Sequence, residues 1–145
     1  NTGTFSPPAF FTQTGLSCGF QIGAEAGDLI LLVMTQRGLE SLLKDELTLG
    51  ADAAVSAGPV GRHAEASTDI GMRGEIYSYS RSKGAFAGVS LKGTVLTTDK
   101  EANFAYYGRF FKAKDILIRG KVKKIPKSGQ QFIKRLNFLA PPKKK

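Results

Sequence analysis

Hydrophobic and polar residues alternate one for one between residues 16 and 26. Leu16, Cys18, Phe20, Ile22, Ala24 and Ala26 fall on one side, while Ser17, Gly19, Gln21, Gly23, Glu25 and Gly27 fall on the other. A period of two predicts a half-buried strand. The unbroken apolar run Leu29–Met34 predicts a strand covered on both faces. The period then changes. Behind Thr35, a helix-capping residue type, Leu39, Leu42, Leu43 and Leu47 recur at helical spacing and predict a helix to about residue 47 packed on a core.

Alternation returns at Leu49, Ala51, Ala53, Val55 and Ala57, closed by a Gly58-Pro59 turn, with Val60, Ala64, Ala66 and Thr68 as a return strand. Two further strands are predicted near 74–81 and 85–97, joined by a short Ser82-Lys83-Gly84 hairpin loop. Many short alternating strands rich in Gly and Ala predict an α+β domain built on a curved, barrel-like antiparallel sheet flanked by a few short helices. Gly88 and Gly93 are the candidate barrel corners. Asp99 caps a predicted helix over 100–107 that stops at Gly108. Ser128 and Gln131 have capping-box spacing, opening a helix at about 128–139 that Pro141 stops. Phe132, Ile133, Leu136 and Leu139 are its expected apolar face, flanked by Lys134 and Arg135. There is no internal repeat.

Charge changes this picture most. Residues 1–108 carry 8 Lys/Arg against 11 Asp/Glu, a net of −3. Residues 109–145 carry 13 Lys/Arg against the lone Asp115, a net of +12, and together these give the chain its +9. The expected organisation is a β-rich body over 1–120 and a basic tail over 121–145. Such a split calls for an anionic partner: a membrane surface, a nucleic acid or an acidic protein. The 145 residues suit one domain, and 41% apolar content with ten Phe excludes a disordered chain. The longest apolar run is too short to cross a bilayer. Asn1 opens no signal-like stretch, so the chain is expected to be a mature or trimmed fragment of a protein with an upstream segment.

Catalytic chemistry is not visible. His63 is the sole histidine and Cys18 the sole cysteine, on the apolar side of its strand. Neither a nucleophilic triad nor a zinc site can be assembled from them. No phosphate-cradling glycine motif is present. Glu25, Asp28, Asp52, Glu65 and Glu75 read as solvated acids on polar strand faces. No cofactor and no metal is expected.

The consecutive segments Leu49-Gly-Ala-Asp-Ala-Ala-Val-Ser-Ala-Gly-Pro-Val-Gly-Arg62, Ile76-Tyr-Ser-Tyr-Ser-Arg-Ser-Lys-Gly84, Phe86-Ala-Gly-Val-Ser-Leu-Lys-Gly93, Tyr106-Tyr-Gly108 and Lys114-Asp-Ile-Leu117 resemble the SYLF lipid-binding domain family. So do Ser6-Pro-Pro-Ala-Phe-Phe-Thr-Gln-Thr-Gly15 and Gln21-Ile-Gly23. The Tyr-Ser-Arg-Ser-Lys-Gly form is similar to bacterial members. The resemblance implies a non-enzymatic lipid- or phosphoinositide-binding module, here without the N-terminal portion of the family domain. For this bacterial type it implies a peripheral location in the periplasm or envelope. It places Arg62, Arg81 and Lys83 in matching motifs.

Charge and resemblance together predict attachment to an anionic phospholipid surface through Lys121, Lys123, Lys124, Lys127, Lys134 and Arg135. Arg62, Arg81 and Lys83 are secondary contacts, with shallow insertion of Phe132 or Ile133. The alternative is a structural or protein-interaction domain of the envelope, with envelope proteins as partners. Nucleic acid is disfavoured, because the tail interleaves few aromatics with its charges and the body is acidic.

Overall fold

The computed structural model describes residues 4–15, 28–61 and 74–142. The predicted strand over 16–26, most of the return strand after Val60, Cys18, His63, Glu25, Glu65 and Arg62 lie outside those residues. The fold is α+β. Seven strands and four short helices are described: β1 (Phe11–Thr14), β2 (Asp28–Val33), α1 (Gln36–Leu42), β3 (Glu46–Thr48), β4 (Val55–Ala57), β5 (Ile76–Ser82), β6 (Ala85–Gly88), β7 (Val95–Thr98), α2 (Lys100–Tyr107), α3 (Ala113–Leu117) and α4 (Lys127–Leu139). The chain divides into two compact units. One holds Thr12–Thr97; the other holds Asn1–Phe11 with Thr98–Lys145.

In the first unit, β5 is the central strand of a four-stranded sheet. It pairs antiparallel with β2 along one side, from Asp28↔Arg81 to Val33↔Ile76. Its other side takes β4 in parallel, from Val55↔Ile76 to Ala57↔Ser78, and then β6 antiparallel, from Tyr79↔Gly88 to Ser82↔Ala85. A second sheet has the order β1-β7-β3. Leu29, Leu31 and Val33 of β2 pack on a core of Leu47, Leu49, Ala53, Ile76 and Leu91, joined by Leu42, Val55, Val89 and Leu96.

Several expectations change. The sheet is mixed rather than antiparallel, because β4 runs parallel to β5, and among the described residues no closed barrel forms. The helix begins as expected, with Thr35 Oγ1 accepting from Gly38 N at 3.0 Å, but it ends at Leu42. Leu47 instead lies opposite Leu96 in β3, fully buried, and core burial outweighs helix periodicity there. The expected strand through 49–57 is broken by a turn in which Asp52 Oδ2 accepts from Thr48 N at 2.7 Å; only Val55–Ala57 is extended.

The expected strand over 85–97 is also two strands. Between them Thr94 N bonds Leu91 O at 3.0 Å around Gly93, which has φ +92°, and the chain passes from one sheet to the other. Gly88 is no corner. A Cβ there would drive into the carbonyl of Gly58, so glycine permits a close approach of two backbones.

In the second unit Asp99 Oδ1 accepts from Ala102 N at 2.9 Å, and Gly108, φ +77°, closes α2 as the sequence predicts. The extended residues before β1 are laced to the helices. Asn103, buried in α2, accepts from Phe10 N at 2.8 Å and donates to Phe10 O at 3.2 Å. The Tyr107 hydroxyl donates to Pro8 O, and Phe5 N donates to Asn137 Oδ1 at 3.1 Å.

Candidate functional site

Four of the basic residues after α2, Arg109, Lys121, Lys123 and Lys124, gather around one concavity. Its floor starts with the aromatic end of α2, where Phe10, Tyr106, Tyr107 and Phe111 meet edge to face with centroids 5.0 to 6.1 Å apart. Tyr107, Arg109 and Phe111, together with Lys121, Val122, Lys123 and Lys124, line a pocket of about 250 Å³. Buried Val122 anchors this stretch while the lysines beside it stay exposed. Arg109 lies over the Phe111 ring at 5.1 Å, a cation–π contact that holds the guanidinium at the rim. Burial, with the neighbouring Tyr106, pushes the Tyr107 phenol up to about 12, so it stays neutral and donating at ordinary pH.

One acid serves this group. Asp115 Oδ1 lies 3.1 Å from Arg119 and 3.5 Å from Lys121, and its Oδ2 accepts from Lys112 N at 3.2 Å at the start of α3. Burial pushes its carboxyl up, but the Lys112 N–H and the charges of Arg119 and Lys121 outweigh this and hold it below the usual carboxylate value. Lys123 Nζ reaches Gly120 O at 3.4 Å. The pocket is a cationic, aromatic-walled site suited to an anion.

α4 carries the other basic candidates. It begins at Lys127, one residue early, and Ser128 makes no cap, because its hydroxyl bonds the Tyr106 hydroxyl. A Cβ at Gly129 would crowd Ile125 and Tyr106, so glycine lets the helix settle closely. Gly129, Ile133, Leu136 and Asn137 therefore turn inward. Of the expected apolar face, Phe132 and Leu139 are exposed instead, at 51% and 63%. Gln131, Lys134, Arg135 and Phe138 line an open groove of about 310 Å³ on the outer side. Arg135 sits 5.7 Å from the centre of the Phe138 ring, which is 74% exposed. Lys127 is exposed at the helix start.

The predicted residues are thus only partly brought together. Lys121, Lys123 and Lys124 share the pocket; Lys134 and Arg135 share the α4 groove. Arg81 and Lys83 belong to the other compact unit, at the β5–β6 hairpin. Arg109 and Phe138 were missed by sequence reasoning. Arg109 follows the Gly108 cap directly, and Phe138 falls three and four residues after Arg135 and Lys134, so helical spacing could have found the second.

Of the candidate acids among the described residues, Glu75 accepts from Ala54 N at 2.9 Å and pairs with Arg37 at 3.5 Å, Asp52 holds its turn, and Asp28 lies 4.0 Å from Arg81. Among the described residues no group of three or more His, Cys, Asp or Glu could hold a metal ion. Among them, too, no helix is long and apolar enough to cross a membrane.

Residues 14–138 match a family model described as Ysc84: Las17-binding protein actin regulator. Among curated proteins, the chain is 38% identical over 116 residues to human SH3 domain-containing YSC84-like protein 1, covering 79% of this chain and 34% of that protein. It is 38% identical over 127 residues to LAS seventeen-binding protein 3 of Saccharomyces cerevisiae, covering 86% and 28%. With Protein YSC84 of the same yeast it shares 37% identity over 141 residues, covering 95% and 30%. The chain spans about a third of the length of the curated relatives it matches. No solved structure matches it.

Proposed function

The chain belongs to the Ysc84 (SYLF) family, a binding and regulatory family, and from that premise we propose that it is a non-enzymatic module docking on anionic phospholipid surfaces. The observation that carries this reading is the pocket where Arg109, Lys121, Lys123 and Lys124 converge around an aromatic wall. Cations near such a surface contribute on the order of 1 kcal/mol each, with the share of Lys121 reduced by its pairing with Asp115. Exposed Phe132, Phe138 and Leu139 on α4 offer shallow insertion beside Lys134 and Arg135, while Ile133 is half-buried within its own unit.

Co-sedimentation with phosphatidylcholine vesicles containing increasing phosphatidylserine tests it. Binding should rise with the anionic fraction and fall when Lys121, Lys123 and Lys124 are all changed to Gln. Equal binding to purely zwitterionic vesicles would overturn the reading.

A second reading is favoured by names: the family description and the yeast relative specify binding to Las17. Under it the same cations and Phe138 meet an acidic face of a protein partner, including an envelope protein. Recovery of one partner, unaffected by removing lipid, would decide for it. For either reading the proposed setting is a peripheral position at the bacterial envelope.

A further inference from the structure

Among the described residues the core fills one face of the four-stranded sheet, while the opposite face is covered only in part, where Gly58 and Pro59 pack on Tyr79 and Gly88. Leu29, Leu31 and Val33 point into the core. The opposite face is set by the pairing register. Its rows are Asp28–Arg81–Phe86, then Ile30–Tyr79–Gly88, then Leu32–Tyr77. Side chains opposite one another on paired strands share a face, so these residues form one surface. Ile30, Leu32, Val60, Gly61, Tyr79 and Phe86 line an open groove of about 380 Å³ on it. Its size falls within the range of small-molecule sites, roughly 300 to 1,000 Å³. Leu32 remains 45% exposed and Phe86 51% exposed.

The groove is built, not merely left over. The Tyr79 ring occupies the space a Cβ at Gly58 would need, and its hydroxyl donates to Pro59 O at 3.0 Å. Gly88, in the same row, is covered by the Gly58 backbone, whose carbonyl stands where its Cβ would be and closes that side of the groove. The ends differ. The Leu32 end is apolar, whereas the other end carries Arg81, 5.9 Å from the centre of the Phe86 ring, and Lys83 in the turn just beyond. Asp28 meets Arg81 only at 4.0 Å between exposed side chains, a weak pair. From the Asp28 row to the Leu32 row is roughly 14 Å, four steps at about 3.4 Å.

We propose that this face takes the hydrocarbon chain of a single anionic lipid, laid along β2 and β5, with its charged head against Arg81 and Lys83. The occupant follows from charge complementarity: an apolar trough closed by two cations fits an amphiphile with one tail and an anionic end. The proposal goes beyond vesicle docking, since it concerns one molecule held by residues of the other compact unit.

Isothermal titration of the whole chain with dodecanoate, kept below its micelle concentration, tests it. Saturable one-to-one binding is expected. Leu32→Gln and Phe86→Gln, both at exposed positions, should each raise Kd roughly tenfold, equivalent to about 1.4 kcal/mol. Arg81→Gln combined with Lys83→Gln should reduce dodecanoate affinity to that of uncharged dodecanol. The Lys121, Lys123 and Lys124 triple Gln variant should keep dodecanoate binding even where vesicle binding is lost, which separates failure of this proposal from failure of the docking reading. Non-saturable uptake, or Kd values unmoved by Leu32→Gln and Phe86→Gln, overturns it. Concentration-dependent sedimentation abolished by Leu32→Gln, with no dodecanoate bound, also overturns it and makes this face a contact between two copies of the chain.

Discussion

Asn103 is a buried amide with both ends occupied by the backbone of Phe10. Asn103→Ala leaves the Phe10 N–H without its acceptor, and an unsatisfied buried donor costs about 2 kcal/mol. Urea unfolding should show that loss. Tyr107 sets a second expectation. Its phenol is raised to about 12 by burial and by Tyr106, above the unfolded value near 10. The folded state therefore holds this proton more tightly. Stability is unaffected below about pH 10 and falls as pH climbs from about 10 toward 12. Tyr107→Phe should flatten that alkaline decline in unfolding midpoints.

Asp115 behaves in the opposite sense. Its folded value is lowered by the Lys112 N–H, Arg119 and Lys121 against the pull of burial, so its contribution is present at neutral pH, starts to fall below about pH 4 and is lost as pH drops through the lowered folded value. The difference in melting temperature between wild type and Asp115→Asn should be clear at pH 7 and shrink steadily as the pH is taken down through the acid range.

At the scale of elements, the β5–β6 connection is a two-residue turn with both residues at positive φ, Lys83 at 51° and Gly84 at 80°. This is a type I′ turn, which favours Asn-Gly. Lys83→Asn should therefore stabilise the hairpin by roughly 0.5 kcal/mol through the cheaper left-handed backbone, read as a higher urea midpoint. The turn was legible because Gly84 stands between two alternating runs, and α2 was legible because Asp99 and Gly108 bracket it. The rest depended on partners distant in sequence. Leu47 continues a helical stripe yet belongs to a strand, and Ser128 has capping spacing yet spends its hydroxyl on Tyr106, 22 residues away. Parallel pairing of β4 with β5 was illegible too, since a period of two says which face a residue takes and nothing about the neighbouring strand's direction.

For the whole molecule, the charge split was plain in the sequence, but its convergence was not. Lys121, Lys123 and Lys124 were visible as a run, whereas Arg109 joins them only through folding. If that convergence drives docking, anionic-vesicle binding should weaken strongly between 0.1 M and 1 M salt, as the screening length shrinks from about 10 Å to about 3 Å. Pelleting across a salt series measures it.

Gly58, Tyr79 and Gly88 lie far apart in the chain, yet the ring of the second sits where the first would carry a methyl group, and the third presses on the first one's carbonyl. Drift at these positions is tied together. Gly58→Ala alone evicts the ring, and pairing it with Tyr79→Ser should recover part of the loss, a non-additive cycle. Homologues that abandon the glycine at 58 are expected to lack the aromatic at 79, and such a paired change would express a steric veto rather than a shared chemistry.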